Sequence, residues 1–369
     1  MHTRRIFIKN SLGSLAALTI GGEAFSMACT TPRKKTLGVA LVGLGYYSTD
    51  LLAPALQLTR HCRLAGIVTG TPAKAKRWQE QYRIPEKNTY NYQSFDDIAN
   101  NPDIDVVYVV LPPSMHAEYV IRAANAGKHV WCEKPMALTA AECRSMIDAC
   151  KKNGVKLSIG YRMQHEPNTQ RIIQFGKDKT YGAITQVSAR AGYFDSRTDH
   201  WKQKKEMGGG SMYDMGVYPL NAARYTTGEE PIAVTARQST TRPDIYKEVD
   251  ETMQFTLEFP GGATAECETS FGKSMNSLYV TCAKGWYKLE PFQAYSGIEG
   301  ITSDGKLLNA VIPNEQAKQM DEDALAILQN TPVLVPGEEG LKDIKVVEAV
   351  YRSVKENGRV TIGGEVSSR

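Results

Sequence analysis

The sequence predicts an α/β protein: a doubly wound parallel sheet in the N-terminal half, then an α+β domain on an open, mainly antiparallel sheet. Three observations carry this expectation. Short apolar strands alternate with helical stretches over residues 37–159, the pattern of repeated βα units. Residues 106–111 are continuously apolar, as a strand buried on both faces must be. Beyond about residue 160 longer runs alternate apolar and polar side chains, which suits a half-buried antiparallel sheet.

Taken in order, residues 37–42, 64–68, 106–111, 129–132 and 156–159 read as the strands of the first sheet. Between them, 51–58, 73–82, 116–126 and 140–153 read as helices, the last two stopped by Gly127 and Gly154, because glycine tolerates the left-handed conformation that ends a helix. In the second domain, 182–193, 232–238, 251–259, 263–271 and 277–283 read as strands. A helix over 343–357 and a strand over 359–362 close the chain. The expected division is a signal segment (1–28), a linker (29–36), a nucleotide-binding domain (37–160) and a substrate and oligomerisation domain (161–369), whose last helix is free to pack back on the first.

The chain has 369 residues and a formal net charge of +4. That is room for two cores, and too weak and dispersed a charge for nucleic acid. Nothing after residue 40 is long and apolar enough to span a bilayer. The seven cysteines include no CxxC pair, and the six histidines are scattered singly, so no metal site is expected and buried free thiols are the expected state. The first 28 residues have another character. Thr3-Arg4-Arg5-Ile6-Phe7-Ile8-Lys9, an apolar stretch over 12–20 and Ser26-Met27-Ala28 before Cys29 resemble a twin-arginine export signal. It predicts passage through the twin-arginine machinery to the periplasm. Cys29 is also a candidate lipid anchor, although Ser26 stands where a lipobox usually has Leu.

Gly43-Leu44-Gly45-Tyr46-Tyr47-Ser48 follows the first strand and opens a helix. This is the Rossmann dinucleotide fingerprint, with Ser48 replacing the third glycine. Gly43 makes the turn, Gly45 lets a pyrophosphate approach, and the helix start offers free N–H groups. At the end of the second strand an NAD site needs an acid. Thr69-Gly70-Thr71 stands there instead, with Lys74 one turn on; hydroxyls and a cation suit a 2′-phosphate, so NADP is the expected cofactor. An ordinary solvated helix face is the alternative for Lys74, Lys76 and Arg77.

Two further clusters carry chemistry. Glu133-Lys134-Pro135 follows the strand 129–132, and loops after strand C-termini are where such sheets bind ligands. A lysine there donates to a hydroxyl and stabilises a developing alkoxide. Gly208-Gly209-Gly210-Ser211 precedes Asp214 and Tyr218, whose i, i+4 spacing puts both on one helix face. Ser211 is expected to cap that helix, and Pro219 to bend it.

These segments, with Leu111-Pro112-Pro113-Ser114-Met115-His116 and Gly160-Tyr161-Arg162-Met163, resemble the Gfo/Idh/MocA family over nearly the whole chain after the signal. Within it the resemblance is to the glucose–fructose oxidoreductase branch. The resemblance implies catalytic roles for Lys134, Asp214 and Tyr218. It implies that Leu111, Pro112, Pro113, His116, Glu133, Arg162, Trp201, Lys202 and Tyr295 lie near the cofactor. Relatives usually carry Arg where this chain has Lys202, which weakens that assignment, and many carry His in place of Tyr218. The implied reaction is oxidation of an aldose at C1 to a lactone on tightly held NADP, with a second sugar as acceptor, in a homodimer or homotetramer. Redox-neutral glycoside cleavage is the alternative. A non-catalytic sugar or cofactor sensor is a third reading, against which stand Lys134 and Tyr218.

Overall fold

The computed structural model describes residues 35–363; the signal segment, Cys29 and the linker up to Lys34 lie outside the described residues. Strands β1 (Leu37–Val42), β2 (Cys62–Val68), β3 (Thr89–Tyr90), β4 (Val106–Val109), β5 (His129–Cys132) and β6 (Leu157–Ile159) form one sheet in the order β3-β2-β1-β4-β5-β6. Every pair is parallel. Helices α1 (Ala53–Ala55), α2 (Pro72–Tyr82), α3 (Pro113–Asn125) and α4 (Ala140–Lys152) make the crossovers. All of β1 and β4 is buried, which is why their apolar runs show no alternation. The strand order reverses between β1 and β4, opening a crevice beyond their C-terminal ends.

The helix expected over 51–58 differs in form. A π-helical turn, Tyr47–Leu52, leads into α1, and the Ala53 N–H reaches back five residues to the Ser48 carbonyl. Pro54 supplies the reason: it has no N–H to give, so the regular ladder cannot run through it.

The second domain continues with α5 (Pro167–Asp178), β7 (Ile184–Gly192), α6 (Val217–Thr227), β8 (Ala233–Ser239), β9 (Thr252–Glu258), β10 (Thr264–Ser270) and β11 (Met275–Cys282). Strands β12 (Gly285–Leu289), β13 (Gly300–Thr302) and β14 (Leu307–Leu308) follow, then α7 (Glu315–Gln329), α8 (Gly337–Glu356) and β15 (Val360–Thr361). The nine-stranded sheet runs β14-β13-β12-β11-β7-β10-β9-β8-β15. It is antiparallel except for the parallel pair β7–β10. Helix α6 packs on β7 and β10, while Arg190, Arg237 and Glu266 point from the opposite, open face. The alternation along β9 (Met253, Phe255 and Leu257 buried) is the expected half-buried pattern.

Two helices tie the halves together. Ala317, Met320 and Ala324 of α7 pack with Leu41, Ile67 and Trp131 beneath the first sheet. Asp321 accepts from the Arg60 and His61 backbone N–H groups, each at 2.8 Å. Helix α8 lies against both α4 and β8. It begins at Gly337, six residues before the expected start. Six cysteines, all except Cys29, are described; each is buried and free.

Candidate active site

The loops after β1, β2, β4 and β5 converge on a cleft of about 710 Å³, closed on its far side by the second domain. Gly43 has φ +89°, and a Cβ there would sit 2.3 Å from the Val110 carbonyl oxygen, so only glycine fits this turn. At Gly45 a Cβ would project into open space; this is the side from which a ligand reaches the backbone. Ser48, the replacement for the third glycine, is fully buried and donates to the Gly43 carbonyl at 2.6 Å. It locks the turn to the helix start. Thr49 N–H bonds the Gly45 carbonyl, leaving the N–H groups before it to face the cleft, as a helix start does.

Gly43, Leu44, Gly45, Tyr46 and Tyr47 line the cleft after β1; Thr69, Gly70, Thr71 and Lys74 line it after β2. Lys74 Nζ donates to the Leu44 carbonyl at 3.1 Å, holding a cation between the two loops. Lys76 and Arg77 are not among the lining residues. Leu111, Pro112 and Pro113 follow β4, and Glu133 and Lys134 follow β5. A glycine turn with open space at its second glycine, hydroxyls and a lysine at the β2 end, and no acid there among the lining residues together fit a phosphorylated dinucleotide.

Asp214 and Tyr218 come from the facing domain. Gly210, at φ +107°, leaves room for Asp250, whose carboxylate accepts from Ser211 Oγ at 2.6 Å, Met212 N–H at 2.8 Å and Tyr351 OH at 2.6 Å. The expected cap by Ser211 is therefore corrected: Ser211 makes no cap, and Asp250 takes the helix's first donors. Residues Met212–Gly216 form a π-helical turn before α6, consistent with Pro219 lacking the N–H that Met215 would otherwise receive. Tyr213 OH donates to the Leu138 carbonyl at 2.7 Å, fixing this turn to the first domain.

Lys134 Nζ donates to the Asp214 backbone carbonyl at 2.6 Å, lies 3.8 Å from Asp214 Oδ1, and stands 4.6 Å from the centre of the Tyr218 ring. Burial works against its charge, but Tyr218, Asp214 and Glu133 outweigh it and hold its pKa above the ordinary range. Asp214 Oδ2 accepts from Lys202 Nζ at 2.6 Å and from Tyr193 OH at 3.2 Å. Burial opposes its ionisation, yet Lys202 and Lys134 pull its pKa down to about 2. Glu133 is different: burial pushes its carboxyl up, and Tyr108 OH donates to it at 2.6 Å.

Trp201, Lys202 and Tyr295 line the same cleft, but the expected place of Lys202 beside the cofactor is sharpened. Its ammonium is committed to Asp214 and Tyr193 (3.1 Å). Two expected cofactor residues stand apart from the lining. His116 is buried with Nδ1 2.9 Å from the Pro135 carbonyl oxygen and Nε2 2.8 Å from that of Leu111; burial lowers its pKa, so the neutral ring sits between the β4 and β5 loops with one N–H to donate. Arg162 is buried behind Tyr218 and Tyr295, ion-paired with Glu315. Tyr92, Arg197, His200 and Gly208 also line the cleft. The triple-glycine segment flagged Gly208. The other three sit in loops with no periodicity, and only the folded chain brings them in.

Lys202→Met is expected to move the acid limb of kcat/KM upward in pH. The sign follows from Asp214. Its folded pKa is depressed, so its contribution to stability is complete above the unfolded value of about 3.9 and is lost as pH falls toward about 2. Removing the nearer cation raises the folded value, and each unit is about 1.4 kcal/mol. A pH–rate profile beside an acid-unfolding curve reads both effects; profiles that superimpose on wild type would deny Lys202 this part.

Two family models cover most of the chain. The oxidoreductase family with an NAD-binding Rossmann fold, GFO/IDH/MocA, matches residues 37–161, and the C-terminal domain of the same family matches 169–288. A protein of Haloarcula marismortui named D-xylose 1-dehydrogenase [NADP(+)] is 28% identical over 359 residues, covering 94% of this chain and 99% of that one. An oxidoreductase of Rhizobium meliloti is 30% identical over 87% of this chain and 98% of its own. Among solved structures, the aldose-aldose oxidoreductase from Caulobacter crescentus, complexed with glycerol, is 42% identical with a TM-score of 0.86, covering 89% of this chain and all of that one. With both domains matched in order, and the family's fingerprint and lysine loop meeting in one cleft, the chain belongs to the Gfo/Idh/MocA family of oxidoreductases.

Proposed function

We propose that this protein is an NADP-dependent sugar oxidoreductase, exported by its twin-arginine segment, that oxidises an aldose at C1 to a lactone and passes the hydride to a second sugar. The observation that carries the reading is the meeting of Lys134 with Asp214 and Tyr218 of the facing domain in the dinucleotide cleft. The names of the similar proteins, an NADP-dependent xylose dehydrogenase and an aldose-aldose oxidoreductase, support the cofactor and substrate class.

Gly43 to Tyr47 would hold the pyrophosphate, and Thr69, Thr71 and Lys74 the 2′-phosphate. NADP bound there supplies the hydride acceptor and donor. Tyr218 takes the proton of the C1 hydroxyl as general base. The Lys134 ammonium above its ring offsets the charge that develops. Asp214 is held rigidly at Oδ2 by Lys202 and Tyr193, which leaves Oδ1 to accept from a sugar hydroxyl and fix the pose. The aldose thus loses a proton and a hydride and leaves as lactone, and the second sugar gains both. Export motivates the two-sugar cycle. An enzyme away from the cytoplasmic cofactor pool has to end each turnover in the redox state in which it began, which gives ping-pong kinetics. Contacts between copies, as a homodimer or homotetramer, are assigned to the open polar face of the second sheet.

The test is the absorbance of purified, desalted protein. A reduced-nicotinamide band is expected to appear with one sugar and vanish with a second, yielding a lactone and a reduced sugar. No band with any aldose, or cleavage of a glycoside into two halves, would overturn the reading.

A further inference from the structure

Arg162 does no work in the mechanism above, yet it is placed where the chemistry would feel it. It follows β6 and is 2% exposed. Its guanidinium carbon lies 4.8 Å from the centre of the Tyr295 ring and 5.9 Å from that of Tyr218. Tyr218 is thereby flanked by two cations, since Lys134 approaches the same ring at 4.6 Å. Arg162 Nη1 donates to the Ala294 carbonyl and to Glu315 Oε2. Glu315 is 4% exposed and is the first residue of α7, the helix that packs beneath the first sheet. Asn314 caps that helix by accepting from Ala317 N–H at 2.8 Å, so the carboxylate is anchored by secondary structure and favoured by its place at a helix start.

We propose that Glu315 is a positioning residue for Tyr218: it fixes the Arg162 guanidinium against the ring and offsets part of the positive field that Arg162 places there. The inference rests on Tyr218 being the base, as read above. A buried pair of this kind has a merely structural use as well, and the two differ in consequence. A structural pair affects only stability. A pair that tunes Tyr218 affects the pH at which its hydroxyl gives up its proton. Burial pushes the Glu315 carboxyl up to about 7 while Arg162 pulls the other way, so above neutrality, where a phenol titrates, the carboxylate is charged. The other groups in play are Glu166 facing Glu315, and Lys134, Tyr47 and Tyr295 facing Tyr218.

The experiment is a near-ultraviolet tyrosinate titration of wild type and Glu315→Gln, each differenced against the same protein carrying Tyr218→Phe. This isolates Tyr218 and needs no sugar, so a failure of the sugar reading leaves it interpretable. Glutamine keeps the acceptor oxygen and removes the charge. The Tyr218-dependent midpoint is expected to fall by roughly half to one pH unit, with the basic limb of kcat/KM moving alike. An unmoved midpoint in folded Glu315→Gln would overturn the proposal. Should that variant not fold, Arg162→Met with Glu315→Met leaves no buried charge unpaired. It removes the nearer, positive member of the pair as well, so the midpoint is expected to rise; coincidence with wild type would again overturn the proposal.

Discussion

Tyr218→Phe is expected to lower kcat by ~10²–10⁴-fold, the range over which a positioned acid–base group contributes, while the protein keeps its fold and its bound dinucleotide. The geometry separates these effects. What the structure uses of Tyr218 is its ring: Lys134 stands 4.6 Å and Arg162 5.9 Å from the ring centre, and phenylalanine offers the same face. What the reaction uses is the hydroxyl. The dinucleotide turn at Gly43–Tyr47 lies in the other domain, where Gly43 and Ser48 set its geometry. Rapid mixing of the desalted enzyme with its first sugar reads the hydride step alone, and the nicotinamide absorbance per protein reads retention. A variant reducing its nicotinamide within tenfold of wild type would take Tyr218 out of the role of base.

The site was legible in the sequence where local chemistry demanded particular residues. Gly43 announced a turn that only glycine makes, Gly45 an open approach to the backbone, and the absence of an acid at Thr69-Gly70-Thr71 was visible without a fold. The place of Lys134 after a buried strand and the one-turn spacing of Asp214 and Tyr218 marked them as candidates, and their catalytic roles were implied by the family resemblance. The second domain was read less fully. Strands β12 to β14 are short, and Gly300–Thr302 and Leu307–Leu308 carry too few residues to show a period. Helix α7 buries its own Gln316, Gln319 and Asp323 along with Ala317 and Met320, so its apolar stripe is broken by polar residues, of which Asp323 accepts from Ser158 Oγ of β6 at 2.8 Å. The roles of Lys202 and Arg162 were not legible for a related reason. Proximity to the cofactor was implied by resemblance, but Lys202 meets Asp214 across an irregular loop, and Arg162 meets Glu315 of α7, which is distant in sequence. His116 is the same case: its ring lies between carbonyls of the loops after two separate strands, so it shapes the cleft from behind.

Lys134→Met carries the second large effect, and its value lies in how it combines with the first. Removing the ammonium takes away the charge opposite the developing phenolate, and a loss of ~10²–10³-fold in kcat is expected, the size seen when one preorganised electrostatic contact is deleted. Stability should change far less. Methionine fills nearly the same volume, Asp214 keeps Lys202 at 2.6 Å and Glu133 keeps the Tyr108 hydroxyl at 2.6 Å, so neither buried carboxylate beside Lys134 is left without a partner. With one of its two cations gone, Asp214 titrates higher than the wild-type value of about 2. Being a depressed carboxylate, it then begins to lose its stabilising contribution at a higher pH on acidification. At neutral pH it stays ionised, so the neutral-pH defect belongs to Lys134 itself. If Lys134 acts by stabilising the charge on Tyr218, its removal has little left to damage once the hydroxyl is gone. The double variant Lys134→Met with Tyr218→Phe should then be scarcely slower than Tyr218→Phe alone, since residues working as a unit are not additive. Multiplying losses in that double-mutant cycle would mean that the lysine acts on the sugar directly and not through the tyrosine.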